Sequence, residues 1–103
     1  MHLEQSEQAF AALQTELARE RADALARAGR KVQVEFDRCH RLLAEIDAPT
    51  TTHDTRRHDL LAEYRAARAA FEHRRWQLHV HREAIGLNDH RWVDRVFPMP
   101  ERR

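Results

Sequence analysis

The stretch that decides the reading of this chain is Asp47–Asp54, DAPTTTHD. Pro49 has no backbone N–H and clashes with a preceding helical turn, so no helix continues through it. The threonines that follow offer hydroxyls as N-caps for a new helix, and Thr51 with Asp54 three residues later resembles a capping box with a shortened acid. A turn at 48–53 between two long helices is the expectation.

Working outward, both flanks carry helical periodicity. Before the turn, Leu3, Phe10, Leu13, Leu17, Leu25, Val32, Phe36, Cys39, Leu43 and Ile46 are separated mainly by three, four, seven or eight positions, the spacing of one helix face. This predicts a first helix over about 3–47. Gly29 is its weak point, because a glycine inside a helix costs about 1 kcal/mol relative to alanine, and a kink or break there is the alternative. After the turn, Leu60, Tyr64, Ala67, Phe71, Leu78 and Ile85 follow a heptad interrupted at Arg74 and His81. A second line, Ala69, His73, Trp76, Val80 and Ala84, runs along another face. The second helix is placed at about 54–85.

Folding the chain antiparallel about residue 50 pairs position i with roughly 100 minus i. That register sets Phe36 beside Tyr64, and Ala24 and Ala28 near Phe71–Trp76, with small residues opposite large ones. Charge agrees, since residues 1–23 are net −3 and residues 72–103 net +2.

The chain ends IGLNDHRWVDRVFPMPERR, residues 85–103. Gly86 fits the left-handed residue that closes a helix C-terminus, with Leu87 as the apolar residue after it. Asn88 then reads as the N-cap of a short helix over 89–97, with Asp89 in its first turn, and Trp92, Val93, Val96 and Phe97 on one face. Pro98 and Pro100 leave 98–103 extended. Two roles compete for this segment. It either folds over the open end of the hairpin, covering Phe10, Leu13, Leu78 and Val80, or docks on another protein.

Composition narrows the function. The 103 residues include 18 Lys+Arg and 17 Asp+Glu, so no gross charge draws the chain to nucleic acid, and two glycines and three prolines fit a helical protein. A lone cysteine, Cys39, cannot make an internal disulfide, which makes a reducing cytosol the expected compartment. The first ten residues have acids where a secretory signal needs bases, and no apolar run approaches the ~20 residues that span a bilayer.

Catalytic chemistry finds little footing. Ser6 is the only serine, both glycines have helix-ending or kinking explanations, and no GxSxG, CxxC or HExxH occurs. Cys39 and His40 are adjacent, so their side chains diverge by about 100° on a helix, and Cys39 falls on the apolar stripe as a core residue. Eight histidines suggest metal ligands in the pairs His79/Glu83, Asp54/His58 and Asp37/His40, but each pair is two ligands where a site needs three or four. Solvated or ion-paired histidines are the expectation, with no cofactor and no metal.

The fold expected is all-α, one domain: a long antiparallel hairpin with a short C-terminal capping helix. A two-helix hairpin buries little, and the second apolar line needs cover, so a homodimer in a four-helix arrangement follows. The functional expectation is a small cytosolic, bacterial, non-enzymatic interaction module, acting as scaffold, adaptor or chaperone-like binder. Its partner surface would be Trp76, Val80, Trp92, Val96 and Phe97, with a protein partner at the C-terminal end. The alternatives are a nucleic-acid-associated protein gripping phosphates through Arg74, Arg75, Arg102 and Arg103, or a His/carboxylate metal-binding helical protein.

Overall fold

The computed structural model describes residues 2–49 and 54–103. It is all-helical, with two long helices packed against each other: α1 spans His2–Asp47, α2 Asp54–Ala84, and a short α3 Arg91–Val96. The hairpin expected from the sequence is present. Residues 50–53, with Thr51 and its proposed cap, lie outside the described residues.

α1 runs through Gly29 without a break. A Cβ built at Gly29 would meet nothing within 4 Å, and Gly29 is not among the residues with positive φ. Neither a close approach nor a left-handed conformation requires a glycine there. Good helix formers on both sides, in ALARAGRKVQ, carry the helix across it.

The core lies in one half of the molecule. Val32, Cys39 and Ile46 from α1 meet Leu60, Tyr64, Ala67, Phe71 and Leu78 from α2, with Ala28 and Leu42 completing the α1 side. The register differs from the expected one. Phe36 stands against Phe71, ring centroids 5.8 Å apart, rather than beside Tyr64, and Ala24 and Ala28 line a groove with Gln77 and His81. At the closed end Arg57 donates to the Ile46 carbonyl and Arg56 reaches Glu45. Toward the open end α2 has therefore slid by roughly a turn relative to the simple fold-back.

The slide adds to an overhang that the unequal helix lengths already create. The last residue of α2, Ala84, shares a groove with Glu20 and Arg21, so the residues before them run past the end of α2. Residues 3–16 are exposed without exception. The first 18 residues or so form an arm about 27 Å long at 1.5 Å per residue, and the molecule measures 77 × 22 × 15 Å.

α2 ends as its sequence implies. Gly86 has φ 89°, the Leu87 N–H donates to the Arg82 carbonyl (2.9 Å), and the Gly86 N–H donates to the Glu83 carbonyl (3.0 Å). These are the paired bonds of a Schellman motif. The start of α3 corrects the sequence reading. Asn88 is not its N-cap. The helix begins at Arg91 after His90, whose side chain makes no capping bond, and the Asp89 carboxylate instead accepts the Arg91 N–H at 3.0 Å.

The segment after Gly86 also does not cover the open end. Gly86 turns the chain back, and residues 87–103 run alongside the hairpin toward its closed end as a strap. Phe10 stays 62% exposed, Leu13 51% and Val80 43%, so of the four residues a cap would cover only Leu78 is buried. Val93 and Phe97 enter the core, and the Phe97 ring meets Phe36 edge-on with centroids 5.5 Å apart.

Candidate functional site

The strap is held by a ladder of α2 side chains that donate to strap carbonyls. Arg82 donates to Asp89 (2.8 Å), Arg75 through Nε to Phe97 (2.9 Å), and Arg68 through Nε to Pro100 (2.9 Å). Near the closed end the Tyr64 hydroxyl donates to Glu101, and Arg65 to Arg103 (3.0 Å). Arg68, Arg75 and Arg82 are seven apart, so they stack along one side of α2. The complement is chemical. Pro98 and Pro100 remove two N–H groups, and an extended segment with few donors presents carbonyls that arginine can satisfy. At its end Arg103 forks onto Asp47 (2.7 and 2.9 Å), tying the last residue to the last turn of α1. That hydrogen-bonded pairing holds the Asp47 carboxyl below its usual range.

This places the arginines of the phosphate-gripping alternative. Arg75 is committed to the Phe97 carbonyl and the Asp94 carboxylate, and Arg103 to Asp47 and Glu101. Arg74 is half-buried and bonds Gln77 at 3.1 Å, while Arg102 is exposed. The four do not form one basic surface, and two of them hold the strap.

The residues proposed as a partner surface also divide. Phe97 is a core residue, which removes it from any surface: its aromatic ring packs edge-on against Phe36. Trp92 is half-exposed beside Arg82, whose guanidinium carbon lies 5.6 Å from the ring centroid. Trp76 is 59% exposed and stacks on His73 along its own helix. Val80 precedes Arg82 by two positions, about 200° around the helix, so it points away from the strap that Arg82 grips. Trp76 and Val80 therefore occupy a face separate from Trp92 and Val96, and both tryptophans remain more than half exposed.

His40, His73, His79 and His90 each engage a neighbouring ring or carboxylate. His40 meets the Phe36 ring, Asp37 accepts from Gln33, and Glu83 pairs with His90 at 2.8 Å rather than with His79. Among the described residues no three His, Cys, Asp or Glu side chains converge as a metal ion would need. His79 stacks on His90 with centroids 4.2 Å apart, and its Nε2 is buried without a hydrogen-bond partner. Burial first, then the neighbouring His90 and Arg75, hold the His79 ring below the ordinary imidazole pKa. Cys39 is buried, and burial followed by the nearby Glu35 carboxylate pushes its thiol up, which suppresses the nucleophilic thiolate.

Two surfaces remain that the sequence reading did not single out. The first is the arm. Leu3, Phe10 and Leu13 stand exposed on it and Leu17 is half-buried, on the continuation of the same stripe that packs on α2 further along. The arm's carboxylates, Glu4, Glu7 and Glu16, have no ion-pair partner among the described residues, and no Lys or Arg precedes Arg19. The second is the side of the hairpin facing away from the strap. Ala24, Arg27, Lys31 and Val34 of α1 face Arg74, Gln77 and His81 of α2 across a shallow groove to which the strap contributes nothing. Arg27, Arg30 and Lys31 line it with no ion-pair partner among the described residues, Glu35 lines it beside them, and Val34 is exposed.

The signal for the arm was present in the lengths alone, since a 46-residue helix cannot be matched along its length by one of 31 residues. No helix among the described residues is long and apolar enough to cross a membrane. The chain matches no family model, and no curated protein or solved structure is similar to it.

Proposed function

We propose that this chain is a non-enzymatic protein–protein interaction module, a small cytosolic scaffold, adaptor or chaperone-like binder that works as a homodimer through helix-face packing. One observation carries the reading: an apolar stripe, Leu3, Phe10 and Leu13, stands exposed on the N-terminal arm of α1. An isolated helix of about 18 residues is marginal in water, and its stability comes from packing an amphipathic face. Large apolar side chains aligned on one face of such a helix are the anchors by which helices dock in grooves. The exposed Trp76 and Val80 supply a second apolar face on α2.

The test is site-specific photo-crosslinking in the cell that makes the protein. A photo-reactive phenylalanine analogue at Phe10 is compared with the same analogue at the exposed, outward-facing Arg41. Discrete polypeptide adducts at Phe10 that are absent at Arg41 support the reading. Equal labelling at both positions, or none at Phe10, refutes it.

A further inference from the structure

We infer that the cavity between α1, α2 and the strap is a binding site for a small monocarboxylate with a compact apolar body. Arg82 holds the carboxylate.

All three layers build this cavity of about 180 Å³: Leu25 and Gly29 from α1, Leu78 and Arg82 from α2, Trp92 and Phe97 from the strap. Gly29 keeps it open. A Cβ built there would meet nothing within 4 Å, so the space above the glycine belongs to the cavity. Leu78 and Phe97 are buried, whereas Trp92 lines the cavity while half-exposed, which brings the site to the surface on the strap side. Cavities of about 150 Å³ lined by aliphatic and phenyl side chains stay dry and take up benzene. This one has room for a single six-membered ring or a branched chain of similar bulk.

Arginine chemistry selects the polar end of the ligand. Among the described residues Arg82 is the one charged side chain lining the cavity, and it has no ion-pair partner. The carboxylates of the surrounding chain are engaged elsewhere. Asp89 forks onto Arg91 through both oxygens, Glu83 meets His90, and Asp94 meets Arg75. Arg82 donates through Nη2 to the Asp89 carbonyl, but its Nε is buried with no hydrogen-bond partner. A buried donor on a charged group is costly to leave unmet. A carboxylate answers both the charge and the donor, through a charge-assisted bond about twice as strong as a neutral one. A mostly apolar cavity with one polar group fixing orientation is the general form of a small-molecule site. The same walls exclude a dicarboxylate, whose second charge would sit among Leu25, Leu78 and Phe97 without a partner. The cavity shares no residue with the arm, so this site and the interaction reading stand or fall separately.

The test is a titration of the ¹⁵N-labelled full chain with sodium benzoate, following the Arg82 Nε–H and Trp92 indole N–H signals by NMR. Benzyl alcohol is the neutral counterpart and sodium acetate the carboxylate without a body. Benzoate should shift both signals saturably with a Kd below about 1 mM, and the other two should bind about tenfold more weakly or less. Gly29→Leu puts a side chain into the cavity and should weaken benzoate at least about tenfold with unchanged far-UV circular dichroism. Gly29→Ala, a smaller intrusion, should weaken it severalfold even if leucine unseats the strap. Arg82→Gln should keep benzyl alcohol binding and lose the preference for benzoate.

The absence of saturable shifts at Arg82 and Trp92 overturns the inference. So does benzyl alcohol or acetate binding as tightly as benzoate, since neither the charge nor the apolar walls would then be selecting. Full benzoate affinity in both glycine variants places the ligand elsewhere and overturns it too.

Discussion

Phe97→Ala is the substitution that most directly separates the strap from the hairpin. The ring is 6% exposed and packs edge-on against Phe36, with centroids 5.5 Å apart and an interplanar angle of 73°. Truncating a buried phenylalanine costs about 3–5 kcal/mol, of which roughly 0.5–1.5 kcal/mol belongs to an edge-to-face ring pair. The strap is an outer layer that can settle or admit water, so the expected cost is the low end, about 3 kcal/mol. For a domain whose whole stability is about 5–15 kcal/mol this is a large fraction. The backbone bond from Arg75 to the Phe97 carbonyl does not depend on the ring and survives in the variant. The assay is urea unfolding followed two ways in a Trp76→Phe background, where Trp92 fluorescence reports the strap and far-UV circular dichroism reports α1 and α2. Phe97→Ala should lower stability by about 3 kcal/mol and let the Trp92 transition precede the loss of helix. A loss below about 1 kcal/mol with both probes in step would refute the view that Phe97 anchors the strap.

Gly29→Ala should stabilise the protein by about 0.5–1 kcal/mol, because the glycine sits mid-helix in ordinary conformation with open space where the methyl would go, beside a cavity of about 180 Å³. Thermal unfolding showing no gain or a loss would mean the glycine is needed there. His79 has its pKa lowered by burial, so the unfolded chain takes up its proton more readily than the native one. Stability is therefore full above the unfolded value of about 6.5 and falls as pH drops through it. Urea midpoints at about pH 7.5 and about pH 5.5 should show the fall, and His79→Phe should shrink it. An unchanged pH dependence in that variant counts against the assignment. Cys39, buried with a raised thiol pKa, should react with a thiol reagent only at the rate of unfolding. Rapid modification of native protein would place the thiol outside the core.

Much of this architecture was legible in local signals, because each has a local cause. Pro49 must end a helix, and Gly86 supplies the left-handed residue that a Schellman motif uses. Cys39, Val32 and Ile46 fall on the apolar stripe and are buried. Asn88 misled because a good capping side chain shows where a helix could start, not where it does. The Asp89 carboxylate, one residue on, captured the Arg91 amide instead.

By itself the sequence determined two long helices, the break between them, the core stripe along each, and the reversal after α2. Helical periodicity and turn chemistry act over a few residues and leave their mark there. Only the tertiary structure decided how far α2 slides along α1, which follows from the summed packing of whole faces: neighbouring registers offer similar stripes, and the seating of Phe36 against Phe71 chose one. That slide adds about a turn to the arm that the unequal lengths of α1 and α2 already leave uncovered. The structure alone also gave Arg68, Arg75 and Arg82 their role, because a long side chain reaching a backbone carbonyl far along the chain recognises the carbonyl's position and not the residue that carries it.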